Sequence, residues 1–173
     1  GRASVFKESD RALNELFDAA AAENLLSQGL LRNSREGILY NERGAARLEL
    51  GRVAESLADF ERACELMPGA EEPQINRSIA LMRQARLGES LEVIEYVIRD
   101  KTSHVGAWMQ YGTVLLQLSR FDEGIAALTR SLELKPGRPA PLVNLALAEF
   151  WRSNFVQAEL YALKAIEAEK DFP

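Results

Sequence analysis

Along most of this chain apolar residues return every three or four places, which is helical spacing, and polar residues fill the positions between. The stretch WMQYGTVLLQLSRFDEGIAALTRSLELKP, 108–136, shows the pattern well. It reads as two amphipathic helices with a turn at Ser119-Arg120, and Pro136 stops the second helix. The same spelling recurs with a period of 34 residues. Small residues form one column, Gly44, Ser78, Gly112 and Ala146, and turn residues form another, Gly51, Ala85, Ser119 and Ser153. Two places after the turn come Val53, Leu87, Phe121 and Phe155, and a further column runs Phe60, Ile94, Leu128 and Ala162. The register predicts helix pairs near 38–50 with 53–67, 72–85 with 88–100, 106–118 with 121–134, and 140–152 with 155–169.

Each column has a physical reason. A small residue at Gly112 and its equivalents lets one helix backbone approach its partner closely. Phe60, Ile94 and Leu128, with smaller residues three places on, make an i, i+3 seam that faces the first helix of each pair. A single pair cannot bury its own apolar face, but stacked neighbours can. Residues 1–36 are harder to place. ALNELFDAAAAENLL favours a helix, and Ala22, Leu26, Gly29 and Leu30 fall on the small and apolar columns of a second helix. Both a degenerate leading repeat and a plain capping helix fit this segment.

With these columns in view, 37–172 resembles the tetratricopeptide repeat family. Trp108, Gly112, Phe121, Leu128 and Pro136 carry the resemblance in one unit, and Tyr40, Gly44, Gly51, Phe60, Ala63 and Pro68 in another. It implies an all-α fold, an α-solenoid of stacked antiparallel helix pairs wound as a right-handed superhelix. The four units are 37–70, 71–104, 105–138 and 139–172, preceded by the helical segment 1–36. Some positions depart from the family pattern. Arg43, Arg47 and Glu149 stand where apolar residues are usual, Gln74 replaces a bulky residue, and Lys170 replaces the last proline.

Composition narrows the function. The 173 residues suffice for one domain with a substantial core, and a net charge of −5 argues against a nucleic-acid binder. No apolar run reaches the length of a membrane span. One cysteine makes no internal disulfide, and one His with one Cys builds no zinc site. Cys64 shares a column with Ile98, Leu132 and Ile166 and reads as a packed core thiol, and His104 reads as a solvated loop residue. No phosphate loop, metal-ligand spacing or nucleophile elbow is present. The expectation is a non-enzymatic protein with no catalytic residue, metal or cofactor. The chain begins at Gly1, which suggests a trimmed product and leaves the compartment open, with a soluble cytoplasmic protein favoured.

In the family the first helix of each unit lines a concave surface. The resemblance therefore points to Asn76, Ile79 and Met82, then Met109, Gln110 and Leu116, then Asn144, Leu147 and Trp151 as a peptide-binding groove. Amides there suit a peptide backbone, and methionines adapt to varied side chains. The lysines with which some relatives grip chaperone C-termini are missing: Asn41, Ile75 and Met109 occupy one of their places, and Gly106 and Ala140 the other. The expected role is a scaffold or adaptor holding a peptide or amphipathic helix in a largely apolar groove. The alternatives are a regulatory or targeting arm of a larger enzyme, and a structural protein that self-associates through end helices, with Tyr161 and Ile166 in the contact.

Overall fold

The computed structural model describes residues 18–100 and 103–170. The chain divides into two compact units, Gly1–Gln84 and Ala85–Pro173. In the first, α1 (18–32) precedes α2 (Gly37–Glu49), α3 (Val53–Leu66) and α4 (Glu71–Arg83). The second holds α5 (Leu87–Asp100), α6 (Val105–Gln117), α7 (Phe121–Leu134), α8 (Pro139–Trp151) and α9 (Phe155–Lys170). Every helix from α2 onward lies within two residues of the bounds read from the 34-residue register. No strand occurs among the described residues.

Within the first unit α2 packs on α3, and α4 packs on both. Within the second, α6 packs on α7, α8 packs on both, and α9 pairs with α8. The seam column lies at the centre of these contacts: Phe60, Ile94 and Leu128 are each 0% exposed. The small column explains how the seam is reached. A Cβ added at Gly112 would stand 2.7 Å from Leu128 Cγ and 3.0 Å from the Gly124 carbonyl oxygen. Gly124, on the facing helix, makes the same close approach to Gly112 O at 3.1 Å, so two glycines form this crossing.

The turn column has a backbone explanation. Gly51, Ala85, Ser119 and Ser153 all adopt left-handed φ, at 74°, 59°, 60° and 62°. The last turn of α6 shows why. Ser119 N donates to Leu116 O at 3.0 Å and Arg120 N to Leu115 O at 2.9 Å. The same pair of bonds closes α2 through Gly51 and Arg52, and α8 through Ser153 and Asn154. This paired closure satisfies carbonyls that a helix end leaves open, and it requires a left-handed residue. Gly51 adopts that conformation without steric cost, whereas Ala85, Ser119 and Ser153 hold it against their own Cβ.

Candidate functional site

In the second unit, helical spacing stacks Thr113 one turn after Met109 on α6, and the packing of α8 on α6 brings Asn144 to Thr113. Thr113 Oγ1 donates to Met109 O at 2.8 Å, and Asn144 Nδ2 donates to Thr113 Oγ1 at 3.0 Å. Asn144 and Met109 are half-buried, while Leu147 and Trp151 on the same helix as Asn144 are exposed. Trp151 leans on Phe121, with ring centroids 6.1 Å apart. Gln110 and Leu116, from the same sequence-derived set, are 4% and 5% exposed. Leu116 is a member of the core formed with Leu128, Leu145 and Ala148, so its side chain supports the site from beneath.

In the first unit, Asn76 Nδ2 donates to Asn41 Oδ1 at 3.0 Å, which ties α4 to α2. Ile79 and Met82 are half-buried on the same helix. Asn76, Ile79 and Met82 thus share α4, while in the second unit Asn144 is tied to α6 through Thr113, and Leu147 and Trp151 lie farther along α8.

Two residues stand differently from the sequence expectation. Cys64 is half-buried, not packed in the core, and burial pushes its thiol above the ordinary range, with Arg77 pulling the other way. His104 is not a plain loop residue. It caps α6, its Nδ1 accepting the Ala107 N–H at 3.1 Å. Ser, Thr, Asp or Asn is the usual signal for a cap, so a histidine cap went unread.

The structure also explains Arg43 and Arg47. Arg43 makes two bonds to the Asp59 carboxylate, 2.6 and 2.9 Å, and Arg47 reaches the same group at 2.8 Å. Arg47 Nε also donates to Glu23 of α1 at 3.0 Å, and Arg43 Nη1 to Ser27 at 3.4 Å. The Asp59 side chain is 5% exposed, and its hydrogen bonds push Arg43 above the usual guanidinium value. Asp59 stands in the column of Val93, Ala127 and Tyr161. Pairing a lone acid in that column with the misplaced arginines is the signal that would have revealed this cluster.

A further surface lies between α8 and α9. It is a groove of about 850 Å³ lined by Val143, Leu147, Phe150, Phe155, Ala162 and Ile166, among others, with Glu159 and Glu169 in its wall. No group of His, Cys, Asp and Glu suited to a metal ion occurs among the described residues. No helix there is long and apolar enough to cross a membrane.

The family model of the tetratricopeptide repeat matches residues 7–71 and 75–139. The peroxisomal targeting signal receptor of Komagataella phaffii is 38% identical over 64 residues, which is 37% of this chain and 11% of the receptor's length. The thermophilic tetratricopeptide repeat protein TTC0263 of Thermus thermophilus superposes with a TM-score of 0.80 at 23% identity, over 90% of this chain and 86% of that one. YrrB, a tetratricopeptide repeat protein with an unusual peptide-binding site, superposes with a TM-score of 0.65 at 18% identity, over 92% and 82% of the two chains. At these identities the likeness to the two solved proteins is one of fold.

Proposed function

Since this chain belongs to the tetratricopeptide repeat family, we propose that it is a protein-interaction module that holds a peptide or amphipathic helix, with Met109, Asn144, Leu147 and Trp151 as the principal contacts. The observation that carries this reading is the combination on α6 and α8: an amide fixed at 3.0 Å by Thr113, beside exposed Leu147 and Trp151. The Asn144 amide has a second N–H and a carbonyl oxygen to offer a peptide backbone. The aromatic and the leucine supply anchors of the type that dominates binding energy. Asn76, Ile79 and Met82 on α4 offer the same chemistry in the first unit, and Gln110 and Leu116 act from beneath the surface.

The supporting comparisons are a receptor that shares one stretch of sequence and a fold neighbour that binds peptide. Such surfaces bury modest area, and the ligand loses chain entropy on ordering, so micromolar affinity is expected. The test is selection of binders from a displayed peptide library on the immobilised chain, followed by titration of a selected peptide. Met109→Glu and Asn144→Ala are expected to weaken it strongly. Glu133→Ala, on the outer side of α7 where Glu133 pairs with Arg130 at 2.8 Å, is expected to leave it unchanged. Equal losses from all three variants, or abolition of binding by moderate salt, would defeat the reading, since a mostly apolar contact is little screened.

A further inference from the structure

Of the thirteen large apolar side chains exposed among the described residues, nine lie on α8 and α9. Their positions have a meaning set by the 34-residue register. One repeat earlier, Met109, Leu116, Phe121, Ile125, Leu128 and Leu132 of α6 and α7 are covered by Leu145 and Ala148 of α8, with Tyr161 beside them. The matching positions on α8 and α9 are Val143, Phe150, Phe155, Glu159, Ala162 and Ile166, and these line the open groove. Leu116 is 5% exposed, whereas its equivalent Phe150 is 56% exposed. The groove therefore has the shape of a surface on which this fold seats a helix.

Its charge differs from that of its covered counterpart at two places. Glu159 replaces Ile125, and Glu169 replaces Lys135. Both residues line the apolar groove and are exposed, and neither has an ion-pair partner among the described residues. Seating a helix here takes water from them, which is costly unless the helix supplies cations. A second copy of this chain docked through the same face would bring acid against acid. A like-charged juxtaposition of that kind disfavours self-pairing.

We propose that the groove between α8 and α9 is a docking site for an amphipathic helix of a partner protein, apolar at the spacing of Leu145 and Ala148 and carrying lysine or arginine beside that stripe to meet Glu159 and Glu169. The site deepens the protein-interaction reading; it borders the proposed contacts at Leu147 but extends away from Met109 and Asn144 onto α9.

The test uses the full chain and fluorescein-labelled helical peptides of about 18 residues, five turns. One carries a leucine stripe flanked by lysine, one the same stripe flanked by glutamate, and one the lysine composition with the stripe scrambled. Fluorescence anisotropy is expected to show the lysine-flanked stripe binding about tenfold or more tightly than either control, a difference of about 1.4 kcal/mol. Ile166→Glu, at a position already 54% exposed, is expected to abolish that preference while thermal melting shows an intact fold. Glu159→Gln with Glu169→Gln is expected to bring the lysine and glutamate peptides together, and Met109→Glu to change nothing. Failure of the lysine peptide to bind at about 1 mM, equal binding of the three peptides, or insensitivity to Ile166→Glu overturns the proposal. So does a concentration-dependent dimer that Ile166→Glu dissolves, which would assign the face to a second copy. Loss of binding in Met109→Glu alone would move the peptide to the other face and leave the interaction reading standing.

Discussion

The first repeat and the third are written on the same register, yet their interiors are held by different forces. In α2 and α3, positions 43, 47 and 59 are Arg, Arg and Asp, joined to each other and, through Glu23, to α1. In α6 and α7 the same positions are Tyr111, Leu115 and Ala127, and Leu115 is 0% exposed. One region satisfies buried charge with a carboxylate shared by two guanidiniums. The other removes apolar surface from water. Paired guanidinium–carboxylate hydrogen bonds are directional and specify one partner geometry, whereas apolar packing tolerates any surface of suitable shape. That difference matches where each region stands. The arginines meet one particular helix, α1, that supplies Glu23 and Ser27. The apolar system ends in the groove on α8 and α9.

The largest effect is expected from Asp59→Ala. It takes the shared carboxylate from two arginines whose side chains are only 16% exposed, leaving Arg43 with Ser27 and Arg47 with Glu23, and a loss of about 3 kcal/mol is expected by denaturant melting. A control gives the first repeat the residues of the third: Arg43→Tyr, Arg47→Leu and Asp59→Ala together. Because a buried ion cluster replaced by apolar groups is often neutral or stabilising, the triple variant is expected to recover most of that loss. A triple variant as unstable as the single one would show that the charges are not interchangeable with packing here.

Gly112→Leu probes the apolar region and is expected to cost roughly 2–4 kcal/mol, since the added side chain meets the Gly124 carbonyl as well as Leu128. A Cβ at Gly44 would stand 2.6 Å from the buried Phe60 ring, so Gly44→Ala is also expected to destabilise, by less than Gly112→Leu because it adds one carbon rather than four. An unchanged melting midpoint for Gly112→Leu would mean that the crossing of α6 and α7 is looser than its geometry.

Two smaller effects sharpen the picture. Ser119→Gly relieves a left-handed φ but frees the unfolded chain, so a net change within about 1 kcal/mol is expected, and Gly51→Ala should cost about 1 kcal/mol or more. Cys64 reports on the first unit alone. Burial holds its thiol above the ordinary range, so the thiolate is scarce near pH 8 and alkylation of the folded chain should be several-fold slower than that of a free thiol. The sign is fixed by the raised value: this protection persists below the ordinary thiol pKa and fades as pH rises through the folded one. Asp59→Ala should speed alkylation at fixed pH by opening this unit. No acceleration would uncouple Cys64 from the charged cluster.

The candidate site was less legible than the helices around it. The family resemblance points to Asn144, Leu147 and Trp151, and helical spacing adds that they share one side of α8, because 3.6 residues per turn fixes which side chains share a side. Spacing does not say what lies above that side. Leu116 stands one repeat before exposed Phe150 yet is buried with Leu145 and Ala148 of α8, and Gln110 is buried where its equivalents Asn76 and Asn144 are half-buried. The cap at His104 and the glycine at position 124 were also unread, one because its residue type is an unusual cap and the other because its role appears only when the facing helix is in place.

By itself the sequence determined the all-helical character, the pairing of helices and their ends. These depend on local quantities: apolar period, helix-stopping prolines and the turn column, each expressed within one or two turns of chain. Only the tertiary structure decided which arginines are counterbalanced, which apolar side chains are covered and which remain open. Asp59 lies sixteen residues from Arg43, and the groove on α8 and α9 is defined by the absence of a covering helix among the described residues. Burial and charge pairing are relations between distant segments, and a register that repeats local chemistry does not carry them.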